Sequence, residues 1–141
     1  MKKLLFLLSG TLLPFHAAAQ RAIDVHCHNV LPGFVSFLES HDATSDEGYP
    51  LPKWDAESHI RFMQEAGIGL SVLSMPAPQP YFGNSNECRR VIRNYNDECA
   101  RLKSACPGKF LFCASLPLPD VKAAVDEAVY ALDTLGADGI K

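Results

Sequence analysis

Short apolar runs alternate along this chain with longer stretches in which apolar residues recur every three or four positions. The first run, Ala22 to His28, alternates apolar Ile23, Val25 and Cys27 with polar Asp24, His26 and His28. That period of two predicts a strand with one apolar and one polar face. Ile68 to Ser74 and Phe110 to Ser115 are short and apolar, the pattern of buried parallel strands, and Ala137 to Lys141 begins a fourth. Three helices fall between them. Asp55 caps one that runs to about Ala66, with Ile60 and Met63 inward and Gly67 at its end. Asn84 or Ser85 starts the second, which runs to about Ala105 with Val91, Ile92, Tyr95, Cys99 and Leu102 on one side, and Pro107-Gly108 stops it. Asp120 caps the third, with Val121, Val125, Ala128, Leu132 and Leu135 as its expected buried stripe and Gly136 as its C-terminal cap. Two stretches lack periodicity. Asn29 to Lys53 is rich in Pro and Gly, with room for a short helix around Phe34 to Leu38 and a polar run from His41 to Glu47; Met75 to Gly83 is broken by prolines.

Strand, loop and helix in this repeating order predict an α/β fold with a parallel sheet and right-handed crossovers. A doubly wound sheet is one arrangement, but the first strand–helix junction lacks a glycine-rich phosphate loop. Polar residues at the end of a strand, with long loops after the strands, fit a TIM (β/α)8 barrel better, because its active sites form at the C-terminal ends of the strands. Eight strands take about 250 residues. The chain is therefore expected to hold the first four strands of a truncated barrel. Half a barrel leaves two sheet edges and an inner face wet, so pairing of two copies, a homo-oligomer, is the arrangement that would cover them.

The ends and the charge narrow the picture. Lys2 and Lys3, the apolar run Leu4 to Phe15 and Ala17-Ala18-Ala19 follow the pattern of a secretory signal peptide over residues 1–19, with Gln20 as the new N-terminus and export to a periplasm or beyond. The apolar run is short for a bilayer span, so no membrane attachment is expected after cleavage. Residues 20–141 then form one domain. Its formal charge moves from −3 to −5 when Lys2 and Lys3 leave, and without a basic stripe nucleic-acid binding is not expected. Five cysteines mean that in an oxidising compartment at least one stays free or pairs between chains. Cys27 and Cys113 fall in strands as small buried groups, and Cys99 and Cys106 stand two helical turns apart, too far for a bridge.

His26 and His28, two apart on one strand face with Asp24, are the candidate chemistry. Imidazoles so placed can reach one divalent ion, and imidazole suits zinc, iron or nickel better than magnesium or calcium. The alternative is a pair of hydrogen-bonded imidazoles. Asp24 either orients a ligand imidazole or bonds nearby backbone. Trp54, Tyr81 and Phe82 could wall an aromatic substrate or simply anchor loops. His41 is expected in solvent, His59 in packing or on the surface, and Arg89, Arg90 and Arg93 on a solvated helix face.

Ile23-Asp24-Val25-His26-Cys27-His28 resembles the first-strand motif of the amidohydrolase superfamily. His59-Ile60-Arg61-Phe62-Met63, Gly67-Ile68, Ser71-Val72-Leu73-Ser74, Pro107-Gly108-Lys109-Phe110, Leu116-Pro117-Leu118-Pro119-Asp120 and Leu135-Gly136-Ala137-Asp138-Gly139 extend the likeness. Together they resemble the aminocarboxymuconate-semialdehyde decarboxylase-like branch, which includes 6-methylsalicylate and γ-resorcylate decarboxylases. The resemblance implies a metal-dependent carboxy-lyase for an aromatic or unsaturated carboxylic acid, 6-methylsalicylate-like, with His26 and His28 holding a divalent ion, expected to be zinc. It also implies a further His and an Asp as ligands and a His for proton chemistry, all on later strands. An Arg that some members use for the substrate carboxylate has no counterpart, since none lies between Arg21 and Arg61. In other amidohydrolases a carbamylated Lys of the fourth strand bridges two metals, which marks Lys141 as a further candidate. A metal-dependent hydrolase of an amide, ester or lactone is the second reading, and an inactive fragment the third.

Cleavage after Ala19 is the expectation most directly open to measurement. Intact-mass analysis of the exported species should give a chain beginning at Gln20; a species retaining Met1 would remove the leader from the reading.

Overall fold

Strand pairing sets the architecture, and it follows the chain without reversal. Four strands, β1 (Ala22–His28), β4 (Ile68–Ser74), β5 (Phe110–Ala114) and β6 (Gly139–Ile140), lie in the order β1-β4-β5-β6. Each neighbouring pair is parallel. A doubly wound sheet reverses its strand order partway and carries helices on both faces. Here the order runs one way, as in a barrel wall, which bears out the expected α/β barrel class. The computed structural model describes residues 21–46 and 48–141. The leader expected over residues 1–19 lies outside these. No helix among the described residues is long and apolar enough to cross a membrane.

The helices are α1 (Pro32–Glu39), α2 (Ala56–Glu65), α3 (Ser85–Ala105) and α4 (Val121–Asp133). Three start where a side chain accepts the orphan amides of the first turn. Asp55 accepts from Ser58, Asn84 from Asn86 and Glu87, and Asp120 from Ala123. Helix α1 starts instead on Pro32, whose fixed φ suits the first turn and whose missing N–H would have been unpaired there anyway. After α2 and α4 the chain turns on Gly67 and Gly136, with φ of +70° and +66°, which a side chain would strain.

The long stretch after β1 is more ordered than its composition predicts. Beyond α1 it forms a small antiparallel hairpin, β2 (Ser45–Asp46) with β3 (Tyr49–Pro50). Gly48, at φ +86°, gives the chain its turn.

The core lies between the sheet and the helices. Leu73, Phe110, Phe112 and Ala114 project from the strands towards Met63 of α2, Ile92 and Cys99 of α3, and Ala131 of α4. The opposite sheet face is open: Ile23 and Val25 are 59% and 75% exposed. Cys113 belongs to that face and is half-buried, where the strand pattern predicted burial. All five cysteines are free, as expected for Cys99 and Cys106.

Helix α4 turns away from its predicted orientation. Of the expected stripe, Val121, Val125 and Leu132 are exposed at 69%, 58% and 44%, while Ala128 and Leu135 are half-buried. Its buried side is Ala123, Ala124, Glu127 and Ala131. The reason is polar. The Glu127 carboxylate accepts from Arg93 Nε at 2.8 Å and from Asn96 Nδ2 at 2.9 Å. Asn96 in turn donates to the Ser115 carbonyl at 3.0 Å and accepts from its amide at 2.9 Å. Alanines let α4 approach closely, and a fully bonded carboxylate tolerates burial. The same contacts take Arg93 partly out of the solvated arginine face, since it pairs with Glu127 and stacks 3.7 Å from the Tyr130 ring centre; Arg89 and Arg90 are exposed as expected, Arg89 paired with Asp120.

Leu73→Ala should therefore cost about 2–5 kcal/mol in urea unfolding, because Leu73 is fully buried. Val125→Ala, despite its place in the apolar pattern, should change stability by no more than about 0.5 kcal/mol. A larger loss at Val125 would mean that the exposed stripe is covered in solution.

Candidate functional site

The two histidines converge at the C-terminal end of β1. Their Nε2 atoms are 3.2 Å apart, with the rings edge to face at 4.9 Å between centres. The register of β1 on β4 explains this. Asp24 pairs with Ser71, Cys27 with Leu73 and His28 with Ser74. Between Asp24 and Cys27, Val25 and His26 stand where β4 supplies only Val72. This slip breaks the simple alternation. It leaves Asp24 level with Ser71 on the helix side of the sheet, while His28 and Ser74 face the open side. Asp24 therefore does not share a face with His28, as strict alternation predicts. Its carboxylate accepts the main-chain N–H of His26 at 3.1 Å, so it holds the slipped backbone and touches neither imidazole.

His28 is held from its other nitrogen. Nδ1 lies 3.1 Å from Ser74 Oγ and 3.3 Å from the Ser74 carbonyl. A proton on Nδ1 donated to that carbonyl leaves the lone pair on Nε2, the atom facing His26. Lys141 reaches the same edge. Its Nζ donates to the Met75 carbonyl at 2.7 Å and stands 3.5 Å from His28 Nδ1, on the side of the ring away from the Nε2 pair. Burial draws the Lys141 pKa down.

The spacing of the Nε2 atoms suits two arrangements. One is a hydrogen bond, with one ring as donor. The other is shared ligation: two nitrogens each about 2.1 Å from one ion, subtending about 100°, stand about 3.2 Å apart. Among the described residues no group of three His, Cys, Asp or Glu side chains converges to hold a metal, so the pair supplies two ligands.

A buried network anchors the chain after His28. Asn29 is fully buried, and its amide bonds the Ser74 carbonyl at 3.3 Å. Its side chain donates to Cys99 Sγ at 3.3 Å and accepts from the Tyr95 hydroxyl at 2.5 Å. The sequence pattern placed Tyr95 and Cys99 on the buried side of α3 but gave no sign of their polar partner. The available signal was an Asn directly after the histidine pair at a position with no turn residue behind it.

Cys27 points away from the imidazoles into the helix side. Burial first, and then the charge of Asp24, push its thiol up to about 11. It packs against His59, whose Nε2 is 3.6 Å from Sγ and 3.2 Å from Ser71 Oγ. The Trp54 indole donates to His59 Nδ1 at 3.2 Å, so the neutral ring carries its proton on Nε2. His59 is thus a packing residue of α2, in line with the pattern. Trp54 is its anchor and lines, with Val35 and Lys53, a cleft that adjoins the one beside His28 and shares Val30, Pro50, Leu51 and Pro52 with it.

Nor do the other two aromatic candidates reach the histidine pair. Phe82 stacks on His41, with ring centres 4.6 Å apart and planes within 10°. His41 also bonds Glu87 at 3.1 Å, so it is half-buried where solvent was expected. Tyr81 stands 39% exposed in the same loop. The walls of the cleft beside His28 are instead Val30, Tyr49, Pro50, Leu51, Pro52 and Pro76, around about 320 Å³. Tyr49 lies in a segment whose hairpin the pattern did not reveal.

Comparison with known proteins adds a family. The amidohydrolase family profile matches residues 23–141. The chain is 36% identical over 123 residues to a decarboxylase of Aspergillus niger, covering 84% of this chain and 33% of that protein. It is 30% identical over 120 residues to the 6-methylsalicylic acid decarboxylase of Penicillium expansum, covering 84% and 37%. The chain thus spans about a third of the length of these curated relatives. Among solved structures, an amidohydrolase II superposes with a TM-score of 0.80 at 33% identity, covering 84% of this chain and 39% of that one. A 5-carboxyvanillate decarboxylase of Novosphingobium aromaticivorans with bound manganese gives 0.73 at 19% identity, covering 86% and 41%. That likeness shows the fold alone.

Desolvation holds the His59 pKa below its ordinary 6.5. The neutral ring therefore adds stability that is full above about pH 6.5 and is lost as pH falls towards the folded value. Urea unfolding at pH 7.5 and 5.5 should show a smaller acid loss in His59→Gln than in the native chain. An equal loss in both would place the acid sensitivity elsewhere.

Proposed function

The chain belongs to the amidohydrolase family, and on that premise we propose that it carries the first-strand metal ligands of a decarboxylase for a small aromatic carboxylic acid of the 6-methylsalicylate type. The observation that carries this reading is the approach of His26 and His28 Nε2 to 3.2 Å at the C-terminal end of β1, beside an apolar cleft. Decarboxylases among the relatives favour a carboxy-lyase over the hydrolase alternative.

The residues fit a divalent ion. Both Nε2 atoms face one point, and the Ser74 carbonyl can fix the His28 tautomer that frees its lone pair. A divalent ion held there supplies Lewis acidity to a substrate carboxylate or neighbouring hydroxyl. Zinc is the ion the sequence resemblance implies; manganese in the carboxyvanillate enzyme makes it the better probe. His26 and His28 bind, Ser74 orients, and Val30, Leu51 and the prolines keep water from the ring of the substrate. Further ligands and the proton donor come from outside the described residues. In the same reading residues 1–19 direct export.

His26→Ala and His28→Ala should each weaken Mn²⁺ binding at least tenfold in calorimetry and, in the full-length protein, abolish carbon dioxide release from 6-methylsalicylate. Undiminished binding or turnover in either variant would sink the assignment.

A further inference from the structure

We propose that the cleft between the β2–β3 hairpin and the end of β1 takes the ring of a monocyclic aromatic acid, and that Tyr49 selects the ring by covering one face of it. The inference rests on the decarboxylase reading for its substrate class but on separate residues for its argument.

Size is the first observation. About 320 Å³ is at the small end for ligand sites, enough for one substituted ring and little more. Chemistry is the second. Val30, Pro50, Leu51 and Pro76 supply apolar walls with few rotamers to freeze, whereas His28 closes one end. His28 supplies the one imidazole among the lining residues, so the carboxylate of such an acid would point to that end. A ring between apolar walls with its carboxylate towards His28 satisfies both ends.

Tyr49 is the third observation. It lines the cleft yet is 76% exposed, an aromatic face left in water beside an apolar hollow. Of the aromatic side chains in the neighbouring loops, Trp54 is engaged with His59 and Phe82 with His41, and the exposed Tyr81 does not line the cleft. A flat ligand in the cleft gives Tyr49 a stacking partner and removes water from both rings. An acyclic acid of similar size offers no such face, so Tyr49 discriminates by ring while the His28 end takes the carboxylate.

The test is calorimetry on the 141-residue chain with 6-methylsalicylate and with hexanoate. The native chain should prefer the aromatic acid. Tyr49→Ala should weaken 6-methylsalicylate roughly 3- to 10-fold and leave hexanoate unchanged, and Tyr49→Phe should stay within about twofold of native. Because Tyr49 lies outside the core, far-UV circular dichroism should be the same for all three. Equal 6-methylsalicylate affinities in native and Tyr49→Ala chains would overturn the proposal, as would equal losses for both acids. No aromatic-acid binding by a native chain that still binds Mn²⁺ through His26 would overturn the cleft and leave the metal reading standing. Binding that depends on Tyr49 in the 141-residue chain, with no carbon dioxide release by the full-length protein, would uphold the cleft and remove the decarboxylase.

Discussion

The pairing of β1 with β4 is the constraint on which the rest of the site depends. Among the described strands β1 has β4 as its one neighbour, so the placement of every side chain on it follows from that ladder. The one-residue slip between Asp24 and Cys27 turns an alternating strand into one that sends His26 and His28 to a common point and Asp24 to the far side. Asp24 accepting the His26 amide stabilises the slip from within the strand. At the other end Asn29, held by Ser74, Tyr95 and Cys99, stops the chain from swinging as it leaves the sheet. A pair of imidazoles at ligating distance is thus set by backbone register at both ends, which is how rigid elements position functional groups.

Buried polar contacts tie the helix layer to this strand. Tyr95 and Cys99 of α3 grip Asn29, and on the adjoining face of the same helix Arg93 and Asn96 grip Glu127 of α4. No buried side-chain nitrogen or oxygen among the described residues lacks a partner. Each such group would cost about 1–3 kcal/mol if left unpaired, so the networks act mainly against alternative packings of the same elements. Helix α3 is the common member, touching α1, α4 and β5.

Element positions were legible in the sequence because they rest on local chemistry. Asp55, Asn84 and Asp120 mark helix starts by bonding their own next turn, and the apolar runs of β4 and β5 can be buried only in a sheet. The histidine pair was legible for the same reason, being two residues apart on one strand. What stayed hidden depended on partners distant in the chain. The stripe of α4 pointed outward because Glu127 found Arg93 and Asn96, residues that no period within α4 contains. Asp24 left the polar face because β4, and not β1, dictates the register. The hairpin at Tyr49–Pro50 was concealed by a composition that reads as loop, and with it the residues beside His28. Family resemblance supplied the rest of the functional reading, since two imidazoles alone do not name a reaction.

Cys27 sits between two imidazoles in sequence and yet turns its sulfur to the opposite side of the sheet, protonated at neutral pH. Had the strand presented all three groups together, the donor set would have been soft and would have favoured monovalent copper. As folded, the strand offers nitrogen alone. In the proposed centre the pleat thus keeps the thiol out of the donor set by geometry, so that an ion would meet two imidazole nitrogens and no sulfur from this strand.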